Sequence, residues 1–199
     1  MDSNQISRRV ILKSLSMGTL AGSVLSVIPA QAAELAHKMI AAEKANSANG
    51  AYTPKFFSAP QYRTLQNLCE TIFPADSDSG GAGEAGAPEF IDLLTSENAD
   101  YQLTLGGGLL WLESTCGDRY GNAFLNCTAA QQKEMLDLIA YSKNGVTHPE
   151  ISQGVAFFAL LRILTADAFF TSKIGIQYLG YIGNTFLTEF PGCPPVPEA

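Results

Sequence analysis

Apolar residues recur at helical spacing along the chain between residues 58 and 170. The pattern is clearest over residues 58–73, 89–96, 99–120 and 128–139. A last stretch, from about residue 149 to 170, is apolar almost all round, which predicts a buried central helix. No alternating pattern typical of a strand continues for more than a few residues. The sequence therefore predicts an all-α fold, a single compact domain of five or six helices.

Two helix starts carry the sequence of a capping box. Ser58 and Thr128 are each followed three positions later by a glutamine, Gln61 and Gln131. In this arrangement each side chain accepts a hydrogen bond from the backbone N–H of the other residue. Both N–H groups would otherwise have no partner at the start of the helix. Pro74 stops the first of these helices. The two helices are therefore expected to begin directly after Ser58 and Thr128.

The segments on either side of this helical region are expected to be less regular. Residues 33–46 favour a helix by composition, but their position near a chain end predicts a flexible segment over residues 33–57. Residues 76–87 are rich in Gly, Ala, Asp and Ser, which is typical of a loop. From about residue 171 the chain is rich in Gly and aromatic residues without a clear helical pattern. We expect a domain over residues 58–199 that ends in a long irregular arm.

The aromatic residues of this arm are the most informative candidates for function. Tyr178, Tyr181, Phe186 and Phe190 lie among several glycines, and an isolated arm of this kind cannot bury them alone. The arm either packs over its own helices or docks onto a partner protein, where Tyr and Phe are favoured anchors. We therefore take these four residues as a candidate partner interface.

The first 32 residues have the organisation of an export signal. The stretch Ser7-Arg8-Arg9-Val10-Ile11-Leu12-Lys13 fits the twin-arginine pattern and precedes an apolar run over residues 14–28. Ala30-Gln31-Ala32 is a small-x-small cleavage signal. The apolar run is shorter than the ~20 residues that span a bilayer. We expect a removable signal that ends at Ala32 and sends a folded protein to the periplasm through the twin-arginine translocase, with Arg8 and Arg9 as the address.

The charge of the remaining chain excludes several classes of partner. Removing residues 1–32 leaves 9 basic and 18 acidic residues, a net charge of −9. Nucleic acids and anionic membrane surfaces need a basic face, so neither is expected to bind. Gln153, Arg162 and Asp167 interrupt the last apolar stretch, which argues against a membrane span.

Motifs for a resident cofactor or metal do not occur in the sequence. There is no Cys-x-x-Cys-His for haem, no cysteine cluster for iron–sulfur, and no Gly-x-Gly-x-x-Gly after a strand. Gly106-Gly107-Gly108 falls within a helical pattern, where small residues favour close approach of a neighbouring backbone. We therefore assign no catalytic, cofactor-binding or metal-binding residue to this chain.

The two histidines and an acidic loop are the remaining candidate sites of chemistry. His37 lies in the segment expected to be flexible, and His148 precedes a proline at a helix start. Asp76 and Asp78 resemble the opening of a calcium loop, but Ala87 stands where that loop needs its bidentate glutamate. A solvated turn is the favoured interpretation of this stretch.

The four cysteines permit more than one interpretation in an oxidising compartment. Cys69 is expected to be a small buried apolar residue. Cys116 and Cys127 flank a short turn and could close a disulfide. Cys193 lies in a proline-rich tail, and if the other two pair, it has Cys69 or another subunit as its partner.

Several motifs taken together resemble a known family. They include Ile72-Phe73-Pro74-Ala75-Asp76, Phe90-Ile91-Asp92-Leu93-Leu94, Phe157-Phe158-x-x-Leu161-Arg162 and Leu179-Gly180-Tyr181-x-Gly183-Asn184. In order and spacing, over about residues 56–195, they resemble the gluconate 2-dehydrogenase subunit 3 family. The resemblance implies a small, non-catalytic subunit of a periplasmic sugar or sugar-acid dehydrogenase. It also implies a flavoprotein partner of the glucose–methanol–choline type that carries FAD, and commonly a cytochrome c subunit that carries haem c.

Three functional hypotheses follow. The leading one is a subunit that folds with its flavoprotein partner in the cytoplasm and escorts it through the twin-arginine pathway. The Tyr181-x-Gly183-Asn184 ending resembles family members that accompany enzymes oxidising carbon 3 of glycosides. The second is a stand-alone periplasmic enzyme, for which His148, Arg162 and Asp167 are the candidate polar residues. The third is a ligand-binding or structural helical module that buries its own arm.

Overall fold

The computed structural model describes residues 29–183, in which residues 47–58 and 73–86 form the longest connections between helices. The helices are α1 (Ala30–Asn46), α2 (Ala59–Ile72), α3 (Ala87–Glu97), α4 (Ala99–Tyr101), α5 (Gly107–Tyr120), α6 (Ala129–Ile139), α7 (Ser142–Thr147), α8 (Ser152–Phe170) and α9 (Lys173–Tyr178). A π-helical turn, Gln102–Gly106, joins α4 to α5, and 3-10 turns at Phe124–Asn126 and Pro149–Ile151 precede α6 and α8. Residues 29–183 contain no strand, which confirms the predicted all-α class.

The two predicted capping boxes are confirmed. The Ser58 backbone N–H donates to Gln61 Oε1 at 3.1 Å, and α2 begins at the next residue. The Thr128 N–H donates to Gln131 Oε1 at 2.9 Å, while the Gln131 N–H donates to Thr128 Oγ1 at 3.3 Å. Both starts were predictable because every participating atom lies within four consecutive residues.

Helix α8 is the centre of the core. It packs against α2, α3, α5, α6, α7 and α9, and its side chains Phe157, Leu161 and Leu164 have no exposed surface. Within residues 29–183, Pro149–Phe170 is the one helix long and apolar enough to cross a membrane by length and composition. Half of its most apolar window is buried inside the protein, and it contacts six helices, so it has the position of a core helix.

Helices α5 and α8 cross in close contact at two glycines. A Cβ atom on Gly108 of α5 would lie closer than 3.0 Å to the Phe157 side chain of α8. A Cβ on Gly154 of α8 would equally overlap the ring of Trp111 of α5. Each helix therefore offers a glycine to an aromatic ring of the other. The sequence predicted close approach at the glycine triplet, and the structure shows that side chains rather than backbone make it.

The helix predicted over residues 99–120 is interrupted by the π-helical turn. The Gly107 N–H bonds to the carbonyls of Leu103 and Thr104. A π turn inserts one residue, so the apolar face shifts round the helix axis. Leu105 and Leu109, four residues apart, both lie in the core, whereas Leu103 is 77% exposed.

A buried carboxylate fastens the segment before α2 to α3. Asp92 has no exposed surface, and its Oδ2 accepts hydrogen bonds from Tyr52 Oη at 2.9 Å and Lys55 N at 2.6 Å. Its Oδ1 accepts from Phe56 N at 3.1 Å and Phe57 N at 3.0 Å. Burial raises the pKa of Tyr52 above its ordinary range, and the negative charge of Asp92 adds a smaller increase. The Tyr52 hydroxyl therefore remains a hydrogen-bond donor. Four donors on one carboxylate offset the cost of burying its charge.

Two segments expected to be irregular contain helices. Residues 30–46, most of them in the segment predicted to be flexible, form α1, which packs on α3 through a stripe of small apolar residues. The arm predicted to be irregular from residue 171 begins with α9, because Ser172 caps this helix. Short helices such as α7 and α9 also raise the number above the five or six predicted, since six residues are too few to show a period.

We expect Gly108→Ala to destabilise the chain by roughly 1–3 kcal/mol, because the added methyl group would overpack the α5–α8 crossing. The matched control is Gly117→Ala on the same helix, where a Cβ meets nothing within 4 Å. That change should stabilise by about 0.5–1 kcal/mol through helix propensity. Chemical denaturation of the purified chain measures both, and equal effects of the two substitutions would contradict the crossing.

We expect Asp92→Asn to lower the free energy of unfolding by about 3 kcal/mol. The amide NH2 that replaces one carboxylate oxygen cannot accept hydrogen bonds, so the donors on that side remain unpaired in the core. Tyr52→Phe removes a single one of the four hydrogen bonds and should cost about 1–2 kcal/mol. Urea unfolding followed by circular dichroism compares them. An Asp92→Asn midpoint at or above that of Tyr52→Phe would show that the carboxylate does not organise this segment.

Candidate functional site

Helix α9 turns sharply from the end of α8 to form the last described part of the chain. Ser172 Oγ donates to the Phe169 carbonyl at 2.7 Å and accepts from the Gly175 N–H at 3.1 Å. A Cβ on Gly175 would overlap that same carbonyl, so glycine is required for this approach. Residues 179–183, which follow α9 in the described part of the chain, are exposed.

Helix α9 packs through Tyr178 on a cluster of aromatic rings. The rings of Phe73 and Phe169 stack with centroids 4.7 Å apart, and Phe170 meets both edge-on. The ring of Tyr178 lies 6.3 Å from that of Phe169, in an edge-to-face arrangement. About half of the Tyr178 side chain remains exposed. Tyr178 is therefore fixed by its contact with the cluster while its other face is open to solvent.

An exposed apolar surface follows from this placement. We call it the C-terminal apolar surface, and it consists of Ile176, Tyr178, Leu179, Tyr181 and Ile182. Their exposed fractions range from 37% for Ile176 to 84% for Ile182. Contiguous exposed apolar side chains are uncommon on monomeric soluble proteins and are typical of a protein-binding surface.

A groove between α1 and α9 continues this surface. It has a volume of about 810 Å³, and Ile176 belongs to both the groove and the C-terminal apolar surface. Ile40, Ala41 and Ile174 line it as well, while charged side chains border it, including Glu34, Lys38, Lys44, Glu84 and Lys173. A combination of apolar and charged lining residues is typical of a protein interface.

His37 lies in this groove and has a structural role there. Its Nε2 is 3.0 Å from Thr171 Oγ1, and its ring is 5.0 Å from that of Phe90. Burial lowers the pKa of His37, in opposition to a hydrogen bond from the ring to the backbone of Ala168. The neutral imidazole therefore joins α1 to the end of α8 and to α3.

The residues proposed for a stand-alone enzyme do not meet. His148 is exposed, with its Nδ1 3.2 Å from Glu150 Oε1, and lines a cavity of about 370 Å³. Arg162 lines a different cavity, of about 450 Å³, and its guanidinium carbon is 5.8 Å from the ring centre of Phe158. Asp167 lines neither cavity. Neither of these two cavities combines the three side chains.

The acidic loop after α2 uses its first carboxylate to hold its own turn. Asp76 Oδ1 accepts from the backbone N–H of Asp78 at 2.8 Å and of Ser79 at 2.9 Å. These hydrogen bonds hold the pKa of Asp76 below its ordinary value. Between residues 29 and 183, no group of three or more His, Cys, Asp or Glu side chains is placed to hold a metal ion.

Three of the four cysteines are described, and all three are buried free thiols. Cys69 lies in the core as predicted, and burial raises its pKa to about 12. Burial likewise raises the pKa of Cys116 to about 12, and a hydrogen bond joins its thiol to that of Cys127. A disulfide between these two thiols stays a prediction for an oxidising compartment. Cys193 lies outside the described residues.

The structure places the remaining predicted residues as follows. Tyr178 and Tyr181 both lie on the C-terminal apolar surface, whereas Arg8, Arg9, Phe186 and Phe190 lie outside the described residues. The contribution of α1 to the groove was not predicted, because α1 and α9 are about 130 residues apart along the chain and no local pattern relates them. The residue at the expected cleavage site, Ala32, is buried within α1.

Comparison with known proteins identifies one family. A family model described as Gluconate 2-dehydrogenase subunit 3 matches residues 59–192. The match begins at the first residue of α2 and includes helices α2 to α9 and the C-terminal apolar surface. No curated protein and no solved structure matches the chain.

Proposed function

We propose a function for this chain from the premise that it belongs to the gluconate 2-dehydrogenase subunit 3 family, and is therefore a subunit of a multi-subunit dehydrogenase. In this proposal the chain is the non-catalytic small subunit of a periplasmic, FAD-dependent dehydrogenase of the glucose–methanol–choline type. It escorts the catalytic subunit, which lacks a signal of its own, through the twin-arginine pathway and stabilises the complex. A sugar or glycoside is the substrate of the complex.

The C-terminal apolar surface is the observation that carries this proposal. Its five apolar side chains are exposed in the isolated chain, and Tyr178 is held in place by the aromatic cluster. Burying such side chains against a partner is favourable by about 25 cal/mol per Å² of apolar area. We assign this surface, with the adjoining groove, to the flavoprotein catalytic subunit. Tyr178 and Tyr181 serve as anchors because rigid aromatic side chains lose little entropy on binding.

Catalysis is assigned to the partner. The described polar candidates His148 and Arg162 line different cavities, and Asp167 lines neither, which favours a structural role for this chain over the stand-alone enzyme. FAD is proposed for the catalytic subunit, and haem c for a third, cytochrome subunit that accepts the electrons. The Tyr181-x-Gly183-Asn184 ending supports a glycoside-oxidising complex of the carbon 3 type.

Export supplies the reason for an escort. A flavoprotein loads its cofactor when it folds, so it must cross the membrane folded. The pair Arg8 and Arg9 is an address for the exporter of folded proteins, and one address on a tightly bound subunit serves the whole complex. The acidic net charge of the chain suits a soluble periplasmic protein.

We expect Ile182→Asp to weaken binding of the catalytic subunit about tenfold or more, because a charge would be buried in the interface. The matched control is Val146→Asp on α7, since Val146 and Ile182 are both 84% exposed. Co-purification of the two subunits, with surface plasmon resonance for affinity, measures the difference. Binding that is equal for the two variants, at unchanged thermal stability, would remove the C-terminal apolar surface from the interface.

We expect joint replacement of Arg8 and Arg9 by Lys to reduce the dehydrogenase activity of the periplasmic fraction to background, because the exporter requires the arginine pair. Activity in the cytoplasmic fraction should persist, since the substitution does not touch the folded domain. The assay follows reduction of an artificial electron acceptor in both fractions. Periplasmic activity equal to that of the unchanged protein would refute the escort role.

A further inference from the structure

The bond expected to be cut during export lies inside a folded helix. Cleavage after Ala32 would break the bond to Ala33, and both residues belong to the first turn of α1. The Pro29 carbonyl accepts hydrogen bonds from the N–H of Ala32 at 2.8 Å and of Ala33 at 3.1 Å. Neither alanine has any exposed surface. The bond is therefore part of the packed structure rather than of an extended linker.

Helix α1 is held along its whole length. Ala36 is fully buried and Ile40 is 6% exposed, so the apolar stripe continues beyond the first turn. His37 bonds to Thr171 Oγ1 near the middle of α1. At the far end, Lys44 Nζ lies 2.5 Å from Glu89 Oε1 of α3. Opening the start of α1 means giving up packing against the core, not only fraying a solvated helix end.

Cleavage would also place a charge where the fold has no room for water. The new amino terminus would be the nitrogen of Ala33, and an α-amino group is largely protonated at neutral pH. An unpaired ammonium at a fully buried position is strongly unfavourable. The carbonyl of Pro29, which the first turn uses as an acceptor, would be lost with the leader. The cut chain is therefore less stable at α1 than the uncut chain.

A peptidase cuts a folded protein only through a locally opened state that fits its active site. The twin-arginine route delivers the chain already folded. We propose that packing of α1 protects the Ala32–Ala33 bond, so that the folded chain keeps residues 1–32 after export. The proposal takes its cellular setting from the export proposed above, but the protection itself is a property of the folded chain and can be measured without export.

Retention changes the exported product. The leader contains the apolar run over residues 14–28, which removal after Ala32 would have discarded. An apolar segment of this kind has affinity for the bilayer interface. The exported subunit would therefore carry a membrane-seeking extension attached directly to α1.

The test uses the full-length chain, purified folded, with purified signal peptidase in detergent micelles and intact-mass detection. We expect the unchanged chain to resist cleavage after Ala32. Ala36→Glu places a charge in the buried stripe of α1 and should raise the cleavage rate about tenfold or more, because it increases the open population. Ala42→Glu makes the same change on the exposed side of α1 and should leave the chain resistant.

Two further measurements separate protection from other causes. Ile40→Ala loosens α1 without adding a charge and should also raise the cleavage rate, while circular dichroism verifies that the helical core persists. A synthetic peptide of residues 14–44, with and without Ala36→Glu, should be cut at the same rate in both forms, because it has no core to hide the bond.

Three results would overturn the proposal. The first is cleavage of the unchanged chain at the rate of the peptide. The second is that the Ala36→Glu and Ile40→Ala variants resist cleavage as strongly as the unchanged chain. The third is that the peptide itself is not cleaved. None of them bears on the escort role, which the periplasmic activity of the Arg8 and Arg9 variant decides separately.

Discussion

The close crossing of α5 and α8 is the constraint on which the rest of the fold depends. Gly108 lies against Phe157 of the opposite helix, and Gly154 lies against Trp111. Because neither glycine has a side chain, the two helix axes lie closer together than larger residues at these positions would allow. Because α8 also contacts α2, α3, α6, α7 and α9, its position sets the position of these five helices, and α1 in turn packs on α3. The C-terminal apolar surface, which lies beyond the end of α8, therefore depends on this crossing for its position.

Sequence reasoning succeeded where the responsible atoms are neighbours along the chain. The capping boxes at Ser58 and Thr128, and the buried character of α8, follow from spacing within one element. It failed where the partners are distant. The role of Asp92 depends on donors 35 to 40 residues away, and nothing in its own helix announces them. Single-sequence periodicity likewise carries no signal for a π-helical turn.

For the same reason, only part of the candidate site could be predicted from the sequence. The apolar character of the residues around Tyr178 and Tyr181 is visible in the sequence, and both residues are exposed. The groove beside them is formed with α1, a helix that composition suggested and position argued against. Its alanine stripe is weakly hydrophobic, so the pattern looks solvated until the neighbouring α3 is known. Small side chains allow helices to pack closely, but a hydropathy scale does not measure how well they pack.

The exposed C-terminal apolar surface also has a consequence for how the cell must produce this protein. A chain made in excess of its partner would keep Leu179 and Ile182 in contact with water, next to identical surfaces on other copies. Such chains would self-associate or be degraded, because exposed apolar surface is what aggregation and quality control recognise. Under the proposed function, we therefore expect the amount of this subunit in the cell to follow the amount of its partner.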